Sequence, residues 1–562
     1  MAVNHIKLDK SKKGWWKSAV FYQVYPKSFQ DSNHDGIGDL QGIISRLDYL
    51  DQLGIDGIWM SPMLQSPQVD NGYDISDYQA VDSMFGSMAD MEQLIAEAKK
   101  RGISIILDLV LNHTSDQHRW FLEAKKDKSN PYHDYYVWRD GSPEQLPNDM
   151  RAAFGGPAWT YVPELGQYYF HQFAVQQPDL NWDNPAVRRE LYDMIRFWVN
   201  KGIEGFRLDV IDQIAKNPDL GITGNGPRLH EFLRELSAEG FQEEYLATVG
   251  EAWGADVERA KLYSAPDCSE LSMVFQFQHI CLDQQPDKDK WDLAPLSLPA
   301  LKKCMAHWQN GLEGQGWNSL FLNNHDLPRI VSRWGNNQEY RLESAKLLGA
   351  LFHGMQGTPF IYQGEELGMT NVKLPIEEYE DLETVNLYKE RLAQGYNPAD
   401  IMESIYARSR DNARTMMQWS GETYAGFSDV EPWFIINPNY TEINAEKALA
   451  DENSVFYFYQ KLIALRKQLP VIWDGSFTLL CPDDEQIFAY IREDSNSQLL
   501  VAGNFGATGI VIPEEIQKQS AFLEGELILS NYRKREYKED SEAAKDSVML
   551  EPYEVRYYYW KK

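Results

Sequence analysis

Cysteine and long apolar stretches are scarce in this sequence, and each scarcity argues against a class of protein. The 562 residues include four cysteines, Cys268, Cys281, Cys304 and Cys481, whose spacing matches no metal-ligand pattern. Without a secretion signal they are expected to be reduced and structural. No apolar run approaches the roughly 20 residues that span a bilayer, and the first residues lack a signal-peptide core. We therefore expect a cytoplasmic protein without a membrane segment.

Positive charge is also in deficit. Lys and Arg number 54 against 84 Asp and Glu, which gives a formal net charge of -30. An acidic surface repels phosphate backbones and anionic lipids, so neither nucleic acid nor a membrane surface is an expected partner. No obligate protein partner is evident. The hydrophobic fraction of 43% and the aromatic fraction of 13% are typical of a folded protein.

The first two-thirds of the chain alternates short apolar runs with amphipathic helical patterns. Eight candidate strands follow this rhythm, at residues 19–26, 55–62, 103–110, 203–210, 247–252, 271–277, 319–326 and 358–366. Between several of them lie helical patterns such as 87–101, where Ser87 and Asp90 form a capping box. An open doubly wound sheet would favour a glycine-rich phosphate turn after the first strand, which is absent. We therefore predict a (β/α)8 TIM barrel.

Two stretches interrupt this rhythm and predict further domains. Residues 112–183 are rich in Gly, Pro, Tyr and Trp and are too long for a simple loop. They predict a lobe (domain B) inserted after the third strand, over the carboxyl ends of the strands. Short strand-like runs from about residue 476 predict a C-terminal β-sandwich at 476–562. The barrel would then consist of residues 1–111 and 184–475.

Carboxylates follow three of the predicted strands, where a (β/α)8 enzyme carries its reactive groups. Asp209 ends strand four, Glu251 ends strand five and Asp326 ends strand seven. One carboxylate could attack an anomeric carbon while another, with a raised pKa, protonates the departing oxygen. Arg207, two residues before Asp209, would keep the nucleophile ionised by Coulomb attraction. The joint placement of these groups predicts glycoside hydrolysis.

Five segments resemble the sequence blocks of the α-amylase family, glycoside hydrolase family 13. They occur in order and at barrel-compatible spacing, at residues 108–113, 177–181, 205–210, 249–253 and 324–326. The resemblance extends over essentially the whole chain and implies a retaining mechanism. It implies that Asp209 is the nucleophile, Glu251 the general acid/base, and Asp326 the carboxylate that grips the 2- and 3-hydroxyls of a distorted glucose.

The resemblance also implies a sugar pocket that is closed at one end. Asp74 and Arg414 would close it and hold the 4-hydroxyl of a non-reducing-end glucose. The other implied sugar-binding residues are Tyr73, which would stack under the ring, and His113, Phe154, Gln177 and His325. Amylases with open clefts cut within polymers, whereas an Asp–Arg barrier admits chain ends. We therefore expect an exo-acting α-glucosidase.

Linkage preference is expected to depend on the leaving-group side. Val210, directly after the nucleophile, is typical of the oligo-1,6-glucosidase branch, whereas α-1,4-specific relatives tend to carry a smaller or hydroxylated residue. Segments around Trp253 and Asn324 are most similar to dextran glucosidases (glucan 1,6-α-glucosidases). There Trp253 and Lys290 would line this side, although Lys290 is equally consistent with a solvated lysine in a charged run. Leu327 replaces a Gln common among oligo-1,6-glucosidases and favours the dextran-glucosidase comparison.

The expected substrate is therefore α-1,6-linked glucose at the non-reducing end of isomalto-oligosaccharides and dextran fragments. The alternatives are an α-1,4-glucosidase, a trehalose-6-phosphate hydrolase and a sucrose isomerase. A phosphorylated substrate should need a basic cluster on the leaving-group side, and none is evident beyond Lys290. Residues 328–334 do not resemble the Arg/Asp-rich loop of isomerases. A non-catalytic relative that acts as a binding domain would need a transmembrane segment and a broken triad, and neither is found.

The segment 31–39 carries side-chain oxygens at alternate positions around a glycine turn. Such a set suits a hard cation such as Ca²⁺. Gly42 stands where an EF-hand has its final Glu, and the segment follows a strand, which excludes an EF-hand. An Asx-rich turn without metal would otherwise be favoured, but the family resemblance implies a structural Ca²⁺. The implied ligands are Asp31, Asn33, Asp35, Asp39 and the carbonyl of Ile37. No organic cofactor is expected.

Overall fold

The structure is a computed structural model that describes residues 6–243, 245–532 and 548–562. Eight parallel strands form the central sheet: Phe21–Val24, Gly57–Met60, Ser104–Val110, Gly205–Asp209, Ala247–Glu251, Met273–Phe275, Ser319–Leu320 and Thr358–Tyr362. Numbered along the chain, their order in the sheet is 6-5-4-3-2-1-8-7. A parallel bridge between Val274 and Asn318 joins strands six and seven and closes the sheet on itself. The predicted TIM barrel is confirmed.

Helices surround these strands. The α-helices of six residues or more are Leu40–Ser45, Leu47–Leu53, Met88–Lys100, Arg119–Ala124, Pro185–Asn200, Leu229–Glu235, Val257–Tyr263, Leu298–Leu312, Arg341–His353, Leu382–Ala393, Pro398–Arg408, Ala445–Ala450 and Val455–Gln468, and a π-helix, Leu236–Phe241, continues Leu229–Glu235. Shorter ones are Ile330–Arg333, Asp411–Arg414, Val471–Asp474, Glu514–Gln517 and Ser520–Glu524. The predicted capping box is present, since Ser87 and Asp90 exchange side-chain-to-backbone hydrogen bonds. None of the helices within the described residues combines the length and apolarity needed to cross a bilayer.

Several strands are shorter than their sequence patterns predicted, mainly at the carboxyl end. The predicted strand 319–326 pairs only over Ser319–Leu320, and its tail folds into an Asx turn in which Asn324 Oδ1 accepts from the Asp326 N–H at 2.8 Å. The predicted strand 358–366 ends at Tyr362, because Gly364 (φ 88°) turns the chain into a 3₁₀ helix. Both ends leave the sheet, and the end of strand seven supplies Asp326 to the wall of the pocket above it.

The inserted lobe contains a three-stranded antiparallel sheet, with Gln167–Phe170 between Trp138–Asp140 and Trp159–Val162. A bridge between His113 and Asp179 and another between Tyr136 and Leu180 tie the lobe together where it leaves and rejoins the barrel. The lobe therefore stands on the carboxyl end of strand three.

The C-terminal part is a five-stranded antiparallel sheet, in the order Ser476–Leu480, Ile487–Glu493, Ser497–Asn504, Val555–Lys561 and Glu526–Ser530. A two-stranded sheet, Ile510–Val511 with Met549–Leu550, accompanies it. One face of the large sheet packs against the barrel helices, and Tyr490 donates to the Leu351 carbonyl at 2.7 Å. The other face covers a separate small core around Ile512. Residues 1–5 and 533–547 of the predicted domains lie outside the described residues.

Candidate active site

One arginine binds three carboxylates at the carboxyl end of the barrel. Arg207 lies in strand four and is 1% exposed. Its Nη1 donates to Asp108 Oδ1 at 2.9 Å and to Asp209 Oδ1 at 2.7 Å. Its Nη2 donates to Glu251 Oε2 at 2.6 Å. Asp209 and Glu251 are therefore held side by side on a single guanidinium.

Val210 adopts the left-handed conformation, with φ 36° and ψ 46°. This conformation is unfavourable for a β-branched residue, and such strain is concentrated at functional sites. Here it turns the Val210 N–H toward Glu251 Oε2, to which it donates at 3.1 Å. The Trp253 indole donates to the other oxygen, Glu251 Oε1, at 3.1 Å. Both oxygens of Glu251 are thus oriented by neighbours.

The pKa of the Asp209 carboxyl depends on burial and on neighbouring charges, which act in opposite directions. Burial raises the pKa of Asp209 well above its usual range, Glu251 and Asp108 raise it further, and Arg207 only opposes them. Arg207 lowers the pKa of Asp209, in the predicted direction, but does not outweigh burial. A retaining glycosidase requires one carboxylic acid and one carboxylate at its reacting centre, and Asp209 and Glu251 are the two carboxyl groups that Arg207 holds together here.

Asp326 faces the same pocket with a different electrostatic setting. Its Oδ1 accepts from Arg410 Nη1 at 3.3 Å and from Arg414 Nη2 at 3.0 Å. His325 Nε2 lies 3.1 Å from its Oδ2. Burial raises the pKa of Asp326, but His325 and the two arginines outweigh burial and set the pKa well below its usual range. Asp326 is ionised and able to accept hydrogen bonds from sugar hydroxyls.

The closed end of the pocket is formed by residues other than the predicted ones. Asp74 is fully buried outside the pocket, where it accepts from the N–H groups of Val69 and Asp70 at 3.0 and 3.1 Å and holds a turn. Asp70 lines the pocket instead, and its Oδ1 lies 3.7 Å from Arg410 Nη2. Arg414 stands behind Asp326. The Asp–Arg pair of this site is therefore Asp70 and Arg410.

The pocket has a volume of about 310 Å³. Its predicted lining residues are Tyr73, His113, Phe154, Asp209, Val210, Glu251, Trp253, Lys290 and Asp326. Arg207, Gln177 and His325 stand behind this wall: Gln177 Nε2 donates to Asp70 at 3.1 Å, and His325 stacks on the Tyr73 ring with centroids 5.4 Å apart.

Sequence reasoning missed several residues that line the pocket, namely Asp70, Ala153, Phe173, Gln213, Glu383 and Arg410, and it gave Leu327 no place in the wall. Asp70 and Arg410 could have been found, because each lies four residues before the residue that was chosen. Glu383 carries no local motif. It is recognised through Lys290, whose Nζ donates to Glu383 Oε2 at 2.7 Å. Lys290 therefore lies in the pocket wall, where it is paired with Glu383.

The catalytic-domain model of the α-amylase family (Alpha amylase, catalytic domain) matches residues 23–475. The chain belongs to this family. As a family member it is a glycoside hydrolase, and the resemblance found in its sequence blocks is confirmed.

The chain is similar to several glucosidases and to a crystal structure of a glycoside hydrolase. An oligo-1,6-glucosidase of Parageobacillus thermoglucosidasius is 51% identical, over 97% of this chain and 98% of its own. A glucan 1,6-alpha-glucosidase of Streptococcus pneumoniae is 54% identical, over 87% and 91%. The crystal structure of a Bacillus licheniformis trehalose-6-phosphate hydrolase is 45% identical, with a TM-score of 0.89 over 98% of this chain and 100% of that chain.

The metal loop predicted for this family member, residues 31–39, is stabilised by its own side chains. Asp31 accepts from three backbone N–H groups and from the Ser428 hydroxyl at 2.6 Å. Asp39 caps the helix Leu40–Ser45. Across the described residues, no group of three or more His, Cys, Asp or Glu side chains has an arrangement that could hold a metal. The five predicted ligands are all oxygen atoms, and those of Asn33 and Asp35 belong to exposed side chains, which fits the ligand preference of Ca²⁺.

Proposed function

We propose that this protein is an exo-acting retaining α-glucosidase. It removes α-1,6-linked glucose from the non-reducing end of isomalto-oligosaccharides and dextran fragments. The observation that carries the proposal is the pocket in which Asp209, Glu251 and Asp326 face a wall formed by Asp70 and Arg410. Such a wall leaves room for one glucose beyond the cleaved bond, so only the terminal glucose of a chain can be removed. The names of the relatives at 51% and 54% identity support the α-1,6 linkage.

The retaining mechanism is the one implied by the family resemblance, and the shared contact of the two carboxylates with Arg207 supports it. Retaining enzymes hold their carboxyl groups about 5–5.5 Å apart, closer than inverting enzymes do, and Arg207 bridges Asp209 and Glu251. Asp209 attacks the anomeric carbon while Glu251 gives its proton to the departing glycosidic oxygen. A covalent glycosyl ester forms on Asp209. Glu251 then takes a proton from water, which attacks the anomeric carbon and releases glucose with its α configuration.

Recognition of the linkage is assigned to the leaving-group side of the pocket. The Trp253 ring is 46% exposed and stacks on Phe277, with centroids 3.8 Å apart, so its other face is open to a sugar ring. Lys290 and Glu383 form an ion pair that can donate to and accept from sugar hydroxyls. Val210 shapes the space next to Asp209.

A phosphorylated substrate is less well matched to this side. Lys290 is the cation that lines the leaving-group side, and Glu383 neutralises it. A phosphate group that is attracted to Lys290 would be repelled by the Glu383 carboxylate beside it. The similarity to a trehalose-6-phosphate hydrolase extends to the fold, and we do not extend it to the substrate.

The decisive measurement is glucose release from isomaltose, isomaltotriose, maltose and trehalose-6-phosphate by the purified enzyme. We expect the first two to give the highest kcat/KM, and Asp209→Asn to abolish release with the thermal unfolding temperature maintained. Maltose or trehalose-6-phosphate as the best substrate would contradict the linkage assignment. Substantial activity of Asp209→Asn would contradict the nucleophile assignment.

We further propose that the loop 31–39 binds Ca²⁺ as a structural ion, through the five ligands named above. Its exposed oxygen donors and its position away from the pocket support this role. Chelation with EDTA should lower the midpoint of thermal unfolding, and added Ca²⁺ should restore it. The Asp35→Ala variant should lose this calcium response while keeping its kcat at moderate temperature. An unfolding midpoint that does not change with EDTA or Ca²⁺ would show that the loop is an Asx turn without a bound metal.

We also propose that the enzyme works in the cytoplasm. The four cysteines all lie within the described residues and form no disulfide there, which is typical of reducing compartments. Fractionation of cells that express the full-length chain, with activity assayed in each fraction, tests this assignment.

A further inference from the structure

Gln23 is a buried amide that contacts His325 and has no part in the mechanism described so far. It lies in the first barrel strand, Phe21–Val24, and is 1% exposed. Its Nε2 donates to the Ser61 hydroxyl at 3.1 Å and lies 2.7 Å from His325 Nδ1. An amide nitrogen carries two hydrogens and accepts no hydrogen bond, so Nδ1 of the imidazole must be the acceptor. The ring proton of His325 is therefore on Nε2.

The other ring nitrogen of His325 faces two side chains that line the pocket. His325 Nε2 lies 2.6 Å from the Tyr73 hydroxyl and 3.1 Å from Asp326 Oδ2. A carboxylate only accepts hydrogen bonds, so Asp326 is attracted to Nε2 when that nitrogen carries the proton and is repelled by its lone pair otherwise. The contacts on this side of the ring therefore require the same proton position as the contact with Gln23.

The proton on Nε2 also sets the direction of a hydrogen-bond chain that reaches Arg207. The Tyr73 hydroxyl accepts from His325 Nε2 and donates to Asp108 Oδ2 at 3.1 Å. Asp108 Oδ1 accepts from Arg207 Nη1 at 2.9 Å. With the proton on Nδ1 instead, Nε2 would take up the hydrogen of the Tyr73 hydroxyl, and Asp108 would lose one of its donors. The position of a single proton therefore affects two pocket residues and the arginine behind them.

We propose that Gln23 is a positioning residue that fixes the proton of His325 on Nε2. Through the imidazole it orients Tyr73 and Asp326 before a sugar arrives. Two arginines already hold Oδ1 of Asp326, and the imidazole holds Oδ2, so both carboxylate oxygens are fixed in advance. The inference rests on the proposed function in one respect, namely that Tyr73 and Asp326 bind the terminal glucose.

Nitrogen NMR of histidine-labelled protein measures the position of this proton directly. The ¹⁵N chemical shift distinguishes a protonated ring nitrogen from an unprotonated one, and His325→Gln identifies the signals of His325 among those of the 11 histidines. We expect an unprotonated Nδ1 and a protonated Nε2 in the wild type. In Gln23→Leu, which removes the amide at similar volume, the Nδ1 shift should move toward the protonated value. A proton on Nδ1 of the wild type, or His325 shifts that Gln23→Leu leaves unchanged, would overturn the proposal. The wild-type measurement decides even where Gln23→Leu does not fold.

Kinetics test whether the position of the proton matters for hydrolysis. Gln23→Leu should lower kcat/KM for p-nitrophenyl α-glucoside about tenfold, the factor that corresponds to one hydrogen bond of about 1.4 kcal/mol. An unchanged kcat/KM would overturn the positioning role. Because this substrate contains a single glucose and the NMR measurement needs no substrate, a failure of the α-1,6 assignment leaves the test of Gln23 intact.

Gln309→Leu is the matched control for the loss of a buried amide. Gln309 lies in the helix Leu298–Leu312, is 2% exposed and donates to the Gln356 carbonyl at 2.7 Å. Its replacement should lower the unfolding temperature and leave both kcat/KM and the His325 shifts at their wild-type values. Changes in the His325 shifts that are as large in Gln309→Leu as in Gln23→Leu would contradict a specific role of Gln23.

Discussion

The backbone of Val210 has a role that its side chain does not share. Its strained left-handed conformation directs the N–H to Glu251, and any residue except proline keeps that N–H. The side chain is free to select the linkage, since it lines the pocket beside Asp209, the proposed nucleophile. Substitutions at this position should therefore change substrate specificity more than they change the orientation of Glu251, the proposed acid/base.

Val210→Thr should raise the ratio of kcat/KM for maltose to that for isomaltose, by up to roughly tenfold, the scale of methyl-sized changes in a specificity pocket. Both substrates are measured with the same enzyme preparation. Val511→Thr, in an exposed position of the C-terminal domain, is the control. An unchanged ratio would mean that linkage selection lies with other residues of the wall.

Replacement by Asn should affect activity at Asp70 and stability at Asp74. Asp70→Asn removes a pocket charge and should lower kcat/KM for isomaltose by about two orders of magnitude, the loss of one charged contact to substrate at the upper end of its range. Its unfolding temperature should change little. Asp74→Asn should leave kcat/KM close to wild type but lower stability by about 1–3 kcal/mol, because an amide cannot accept all the donors around Asp74. Kinetics and thermal unfolding of both variants decide between the two assignments.

The residues that sequence could not assign share a physical cause. The triad follows from residue type and strand position alone, because carboxylates at successive strand ends must converge. The closed end does not, because the motif 70–74 has Asp at both ends and the motif 410–414 has Arg at both ends. Only the turn held by Asp74 and the helix Asp411–Arg414 decide which side chain enters the pocket. Gln213 and Glu383 belong to no sequence motif, and their place in the pocket is visible only in the folded structure.

At the scale of secondary-structure elements, the positions of the strands are easier to predict from the sequence than the residues at which they end. Apolar runs locate all eight barrel strands, since burial on both faces requires such runs. The carboxyl ends are set by local hydrogen bonds instead, such as the Asx turn of Asn324 and the glycine turn at Gly364. The segment after strand eight contains Glu365, which is buried and accepts from the Tyr459 hydroxyl at 2.8 Å.

Glu365 should make stability depend on pH. Burial raises the pKa of Glu365 to about 8, so the folded state keeps a proton that the unfolded state releases near the ordinary carboxyl pKa. Stability therefore falls as pH rises between those two values, by at most about 1.4 kcal/mol per pH unit. Glu365→Gln should flatten the fall of the unfolding temperature over this range. Glu485→Gln, on the surface, should leave the slope unchanged. Equal slopes in wild type and Glu365→Gln would refute a buried, protonated Glu365.

At the scale of the whole molecule, the barrel and the C-terminal sheet are joined by buried polar contacts. Lys302, in a barrel helix, donates to the carbonyls of Cys481, Asp484 and Ile487 at 2.6, 2.6 and 2.9 Å. The first two carbonyls lie in the turn between two strands of the sheet, and the third lies at the start of the strand Ile487–Glu493. Apolar packing and these bonds together make the two parts a single core, so we expect a single unfolding transition.

Lys302→Met should lower the unfolding temperature, because it leaves three partly buried carbonyls without their donor, at a cost of about 1–3 kcal/mol for each group that water cannot reach. Differential scanning calorimetry is the measurement. Lys303→Met, next to it but exposed, should have little effect. A wild-type protein that unfolds in two separate transitions would show that the sheet and the barrel are independent.

The wall of Asp70 and Arg410 also dictates the order in which products depart. A terminal glucose seated against that wall lies deeper than the rest of the chain, so the shortened glucan must diffuse away first and water must enter behind it. Glucose leaves last, by the route through which it entered. Free glucose should therefore compete with substrate for the empty enzyme, whereas the shortened glucan should intercept the glycosyl ester and accept the sugar back.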